Sequence, residues 1–237
     1  MRFFAKLTLA ALAVCLASVA APRAAFADTI AVIGTGNVGS ALGVRFAALG
    51  HRIVYGSREP DRPSTRALVE RTGGGATAAT PAEAARDASI VILAVPWSSV
   101  ETVVRGLGDL SGKIVVDPTN PRIDAPDGFR DYAIEGSIAE LVQRLAPGAR
   151  VVKAFSTLGA ETMLDPSLAE GPVTIPIVGD DRDANAKIAE LARGIGFEAL
   201  DVGPLRHARI LEGLHFLRWN AVGGPINYHF RPDNARR

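Results

Sequence analysis

Thr29-Ile30-Ala31-Val32-Ile33 runs directly into Gly34-Thr35-Gly36-Asn37-Val38-Gly39. Val38, Leu42, Phe46 and Leu49 then recur at helical spacing and stop at Gly50. A β-branched run, a G-x-G-x-x-G turn and a helix in that order predict the first unit of a doubly wound sheet. Each glycine has a separate task. Gly34 permits the tight turn, Gly36 lets a pyrophosphate approach the backbone, and Gly39 lets helix and strand pack closely. Thr35, Asn37 and Val38 complete a cradle in which free N–H groups and the helix dipole attract phosphate.

Outward from this unit the chain keeps alternating. Strands are expected at Ile53–Tyr55, Ile90–Val95, Ile114–Val116, Val151–Ala154, Val173–Val178 and Phe197–Val202. Helices are expected at Ser64–Arg71, after Thr80-Pro81-Ala82-Glu83, and at Ser98–Leu107, Ile138–Leu145, Asp183–Ile195 and Leu205–Trp219. Leu211, Leu214 and Leu217 are expected on the core face of the last of these. The fold class is therefore α/β, a mostly parallel doubly wound sheet with a short C-terminal helical extension.

Composition removes several classes. The 237 residues are 48% apolar and 22% charged, with a net charge of +1. That balance lacks the basic footprint of a nucleic-acid binder and the polarity of a disordered chain. Cys15 is the only cysteine, and His51, His207, His215 and His229 have no ligand spacing, so no metal site is expected. Neither a G-x-S-x-G elbow nor a phosphate-binding G-x-x-x-x-G-K-[ST] loop is present.

The end of the second strand chooses the dinucleotide. An NAD site places Asp or Glu there, about 20 residues past the glycines. This chain has Gly56-Ser57-Arg58 instead, with Arg62 nearby and Glu59 directed to solvent. A hydroxyl and a planar guanidinium suit a 2′-phosphate, so the expected cofactor is NADP(H). Further strand ends supply Val95 and Pro96 beside the nicotinamide, and Trp97, Asn120, Ser156 and Thr157 toward a small-molecule redox acceptor. No catalytic acid is evident.

The order of Gly34–Gly39, Gly56-Ser57-Arg58, Val95-Pro96, Thr119-Asn120-Pro121 and Lys153-Ala154-Phe155 resembles the NADP oxidoreductase, coenzyme F420-dependent family. Pro176-Ile177-Val178-Gly179-Asp180-Asp181 and Asp201-Val202-Gly203-Pro204-Leu205 extend the resemblance, which covers about Thr29 to Trp219. It implies a Rossmann domain that passes hydride between NADPH and a deazaflavin. It further implies that Gly34 to Gly39 hold the pyrophosphate, Ser57 and Arg58 the 2′-phosphate, and Val95 and Pro96 the nicotinamide. Some archaeal members carry His where this chain has Ser156.

Arg2 and Lys6, the uncharged run Leu7–Ala21 and Ala25-Phe26-Ala27 have the three regions of a secretory leader, with cleavage expected after Ala27. The remaining chain would carry 23 basic and 25 acidic side chains and no cysteine. A periplasmic or secreted location follows, without stable membrane insertion; a misassigned start would leave the protein cytoplasmic. The expected organisation is a leader at 1–27, a dinucleotide-binding domain at 28–155, an acceptor-side extension at 156–222 and an irregular tail at 223–237. A homodimer is compatible with it.

Only 34 residues follow Gly203, too few for the helical second domain that closes many dehydrogenase pockets. A planar acceptor that stacks on the nicotinamide needs proximity more than a proton donor. Two other readings use the same nucleotide site: a sensor that binds NADP(H) without turnover, its nicotinamide face blocked by Trp97, and a reductase of flavins or ferric chelates.

Overall fold

Every residue from Ile30 to Ile33 is buried, so the strand must be covered on both faces. In the computed structural model, which describes residues 28–231, Ile30 and Val32 enter one apolar layer and Ala31 and Ile33 the other. The two-residue period of a strand demands that division. In chain order the strands are β1 (Thr29–Ile33), β2 (Arg52–Gly56), β3 (Thr77–Ala79), β4 (Ile90–Leu93) and β5 (Ile114–Asp117). Then β6 (Arg122–Asp124) and β7 (Arg130–Tyr132) form a separate antiparallel hairpin. β8 (Arg150–Lys153), β9 (Thr174–Gly179) and β10 (Glu198–Asp201) complete an eight-stranded sheet ordered β3-β2-β1-β4-β5-β8-β9-β10.

The helices are α1 (Asn37–Ala48), α2 (Pro63–Thr72), α3 (Pro81–Arg86), α4 (Val100–Gly106), α5 (Ile138–Leu145), α6 (Ala160–Leu164), α7 (Arg182–Gly194) and α8 (Ala208–Asn220). Leu42 of α1, Leu68 of α2, Met163 of α6 and Ile188 of α7 pack in one layer. Ala84 of α3, Val104 of α4, Val142 of α5 and Leu211 of α8 pack in the other. The sheet reverses strand order beside β1, and its carboxyl edge there is where ligands of such folds bind.

The sheet is parallel from β3 to β8, whereas β9 runs antiparallel, with Lys153 opposite Val178. Between β8 and β9 the chain forms the five-residue α6, about 7.5 Å long, and a 3-10 turn at Pro166–Leu168. Thr80 forms the expected capping box, accepting from Glu83 N–H while the Glu83 carboxylate accepts from Thr80 N–H at 3.0 Å. Residues 223–231 form neither helix nor strand, yet Thr174 N–H donates to the Tyr228 carbonyl at 2.8 Å. The expected leader at 1–27 and the last six residues of the tail lie outside the described residues.

One expectation about α8 is corrected. Leu211 is buried, but Leu217 is 57% exposed, so the core face does not run through all three leucines. The helix is turned by Glu212, whose carboxylate is drawn into the sheet by Lys153. Lys153 Nζ lies 2.8 Å from Asp117 Oδ2 of β5 and 2.8 Å from Glu212 Oε1, and all three side chains are fully buried. It also donates to the Thr119 carbonyl. Burial works against the ammonium, but Asp117 and Glu212 outweigh it and raise its pKa above the usual lysine value. Burial raises the Glu212 pKa against the pull of Lys153. Glu212 Oε1 additionally accepts from Ile138 N–H at 3.0 Å, which ties α5 to the same cluster.

Lys153→Met leaves Asp117 buried without a counter-charge and should cost about 3–5 kcal/mol of unfolding free energy in a urea titration. Glu212→Gln keeps an acceptor for both Lys153 and Ile138 N–H and should cost distinctly less in the same titration.

Candidate functional site

A cavity of about 520 Å³ opens at the carboxyl ends of β1, β2 and β4. Its floor is Gly34-Thr35-Gly36, one end is Ser57, Arg58 and Arg62, and the other is Ala94-Val95-Pro96. Gly34 N–H donates to the Gly56 carbonyl at 2.9 Å, which locks the ends of β1 and β2 together.

The glycines divide by what a side chain would strike. A Cβ on Gly34, whose φ is +107°, would lie 2.2 Å from the Ala94 carbonyl oxygen, and one on Gly39 would lie 2.1 Å from that of Gly34. These two are fixed by packing. A Cβ on Gly36 would meet nothing within 4 Å, and its φ of −74° suits any residue. Packing gives that position no reason to be bare. Gly36 also caps α1 without a side-chain hydrogen bond, and α1 has no acid in its first turn. Its leading N–H groups and positive dipole end are therefore free for phosphate. Asn37 is exposed at the head of α1, Val38 turns to a neighbouring cavity, and Gly39 is buried beneath Gly34.

At the other end, Ser57 Oγ accepts from Glu59 N–H at 3.1 Å and Arg62 N–H donates to the Glu59 carbonyl at 3.2 Å. This compact turn aims Arg58 and Arg62 at one cavity mouth. Glu59, expected to point to solvent, instead lines the same cavity, where two guanidinium groups outnumber it. A pyrophosphate cradle with a doubly cationic end fits a nucleotide carrying an additional phosphate.

Ala94, Val95 and Pro96 are shared with a second cavity of about 470 Å³, which adds Trp97, Asn120 and Arg122. Trp97 donates its indole N–H to the Arg122 carbonyl at 3.1 Å and lies on the wall of this second cavity, outside the first. Asn120 lines it as expected. Ser156 and Thr157 do not: they are 2% and 3% exposed, and their side chains line neither cavity. Phe155 explains this placement. It is held at φ +62°, the only non-glycine residue at positive φ among the described residues, and the backbone after it turns the Ser156 carbonyl rather than the hydroxyl toward the site.

His215 of α8 lines the second cavity and was not singled out from the sequence. The signal was there: Glu212 and His215 are polar, three apart, and share one face of an apolar helix. His215 Nδ1 bonds to the Ser156 carbonyl at 3.1 Å. Burial drives its pKa down to about 4; the Ser156 contact opposes this, while Arg130, Arg122 and Arg218 reinforce it. The ring is neutral at pH 7. Among the described residues no cluster of His, Cys, Asp or Glu is suited to a metal ion, and no helix is long and apolar enough to cross a membrane.

Fold and cavities together define a dinucleotide-binding oxidoreductase, with two adjoining cavities that share Val95 and Pro96. The family model for NADP oxidoreductase, coenzyme F420-dependent, matches residues 29–121. The F420-dependent NADP reductase of Methanothermobacter marburgensis is 34% identical over 198 residues, covering 77% of this chain and 87% of that protein. A solved structure from Arthrobacter sp. FB24, ascribed to the same reductases, superposes with a TM-score of 0.77 at 30% identity, over 87% of this chain and 99% of that one. The metalloreductase STEAP3 of Rattus norvegicus is 30% identical over 79% of this chain and 36% of its own. The chain belongs to the F420-dependent NADP reductase family, whose members are NADP-dependent oxidoreductases.

Two substitutions separate the roles of the glycines. Gly36→Ala should leave the melting temperature unchanged and abolish NADP binding measured by calorimetry. Gly39→Ala should lower the melting temperature by several degrees through its clash with the Gly34 carbonyl, with NADP binding lost as a consequence.

Proposed function

We propose that the protein transfers hydride between NADPH and a planar conjugated acceptor, with a deazaflavin as the preferred partner. The observation that carries this reading is the junction of the two cavities along Ala94-Val95-Pro96. One side offers phosphate recognition and the other an aromatic and polar wall, so two flat rings can face each other across the junction.

When bound, NADPH supplies the hydride, and the acceptor takes it together with one solvent proton. The protein's own residues bind and align. Gly36 and the head of α1 hold the pyrophosphate, and Ser57, Arg58 and Arg62 receive the 2′-phosphate. Val95 and Pro96 set the nicotinamide plane. The extension beyond residue 155 supplies His215 to the acceptor side. With a pKa near 4, His215 is no general acid at neutral pH, which suits an acceptor that needs none.

The similarity to a metalloreductase favours a second reading, reduction of a flavin or ferric chelate from the same nucleotide site. Trp97 lies outside the nucleotide cavity, which argues against a sensor with a blocked nicotinamide face. Loss of dihydronicotinamide absorbance should be fastest with a deazaflavin; faster loss with ferric citrate or a flavin would replace the first reading by the second. Arg58→Ala should weaken NADPH by about 10- to 100-fold, the range for losing charge-assisted hydrogen bonds. NADH, lacking the 2′-phosphate, should change by less than about 3-fold. Equal losses for the two nucleotides would remove Arg58 from the 2′-phosphate site.

A further inference from the structure

Asn120 and His215 converge on one atom. The Ser156 carbonyl oxygen accepts from Asn120 Nδ2 at 2.9 Å and from His215 Nδ1 at 3.1 Å, and its two lone pairs serve both. A carbonyl cannot donate. His215 therefore carries its proton on Nδ1, and Asn120 turns its amide nitrogen, not its oxygen, toward Ser156. His215 has an acceptor left, Nε2, and Asn120 has its acceptor Oδ1 beside the second hydrogen of Nδ2. Oδ1 is buried without a partner. Both residues line the cavity that continues from Val95 and Pro96.

We infer that Asn120 and His215 form an acceptor pair that reads an amide-type N–H on the hydride acceptor, whose class is then a planar heterocycle with a ring imide or lactam edge. The inference rests on the hydride-transfer reading above and goes beyond it by naming the edge of the substrate that is recognised. Ketones and ferric citrate have no such N–H. The pyrimidinedione of flavins and deazaflavins does, at N3.

The surroundings keep the pair in this state. Lys153 holds Glu212 one helical turn from His215, and Asp117 Oδ1 accepts from Thr119 N–H and Oγ1–H, shaping the turn that delivers Asn120. The charged groups that act on His215 are Arg122, Arg130 and Arg218, with Asp124 lying 3.8 Å from both Arg122 and Arg130. Burial, reinforced by that positive field, keeps Nε2 unprotonated, hence an acceptor, across the neutral range.

The test uses the full chain loaded with NADP in its oxidised form and titrated with oxidised 5-deazariboflavin or its N3-methyl derivative, so that no turnover occurs. Binding is read from deazaflavin fluorescence. The wild type should bind the N3–H form about 10-fold more tightly, as expected for one hydrogen bond lost with the partner left buried. His215→Phe should bring the two within about 2-fold of each other. His215→Gln, whose amide can donate to Ser156 and present an oxygen to the cavity, should restore most of the difference. Calorimetry should give all three proteins the same NADP affinity, which excludes misfolding.

Equal affinity of the wild type for the two deazaflavins overturns the inference and leaves the hydride-transfer reading in place, whereas binding of neither, with NADP bound, overturns the inference and removes the deazaflavin from the hydride-transfer reading as well. Discrimination that appears instead between NADP and its 3-acetylpyridine analogue, and disappears in His215→Phe, overturns it too, since the pair would then read the cofactor carboxamide. Absence of NADP binding to the wild type defeats both readings.

Discussion

A single buried ammonium organises the carboxyl edge of this sheet. Lys153 binds carboxylates from two elements far apart in sequence, Asp117 of β5 and Glu212 of α8, with no solvent contact for any of them. Removing three ionisable groups from water is costly, and the cost is recovered only if each partner stays in place. The cluster is therefore intolerant of drift. It also carries two carboxylates for one cation, and burial raises the Glu212 pKa against the pull of Lys153. The site inherits this rigidity: Asn120 follows the turn anchored by Asp117, and His215 lies on the face of α8 that Glu212 pins.

The two cavities are built from different kinds of chemistry. On the nucleotide side the backbone dominates, through the open space over Gly36 and the uncapped head of α1. Arginine enters only at the far end, where an additional phosphate is to be distinguished. On the acceptor side the walls are side chains, and their polar atoms are committed inward, Trp97 to the Arg122 carbonyl and Asn120 and His215 to that of Ser156. Such walls suit the stacking of a flat ring, which is what the proposed hydride transfer asks of them.

The nucleotide half was legible because its determinants are local. Gly34 to Gly39, the β-branched run before them and the Thr80–Glu83 box act within a few residues of themselves, and the structure has the strand, turn and helices they call for. Several features resist such reading because they depend on partners distant in sequence. The hairpin β6–β7 is short and charged, and it is held by Asn220 of α8, which exchanges two hydrogen bonds with the Arg130 backbone. β3 is three residues long and owes its existence to the free edge of β2. The direction of β9 is not written in its own residues, and the facing of α8 depends on a lysine 59 residues before Glu212. Helical periodicity alone gave Leu217 to the core because it could not weigh one buried glutamate against three leucines.

The misreading of Ser156 follows from the same limit and shows what the acceptor side is made of. A serine at a strand end invites a role for its hydroxyl, but Phe155 at φ +62° reverses the local backbone, and the hydroxyl is buried while the carbonyl takes its place. A phenylalanine in the left-handed region is strained, and such strain persists only where surroundings over-determine it. Here the Phe155 ring meets Phe46 of α1 edge-on at 6.0 Å, and the next carbonyl collects two side-chain donors. The strain at one residue is thus tied to both cavities: its side chain packs on α1, whose head opens onto the first, and the next carbonyl orients Asn120 and His215, which line the second. A residue whose backbone, not its side chain, carries the function is invisible to any reading that scores side-chain chemistry.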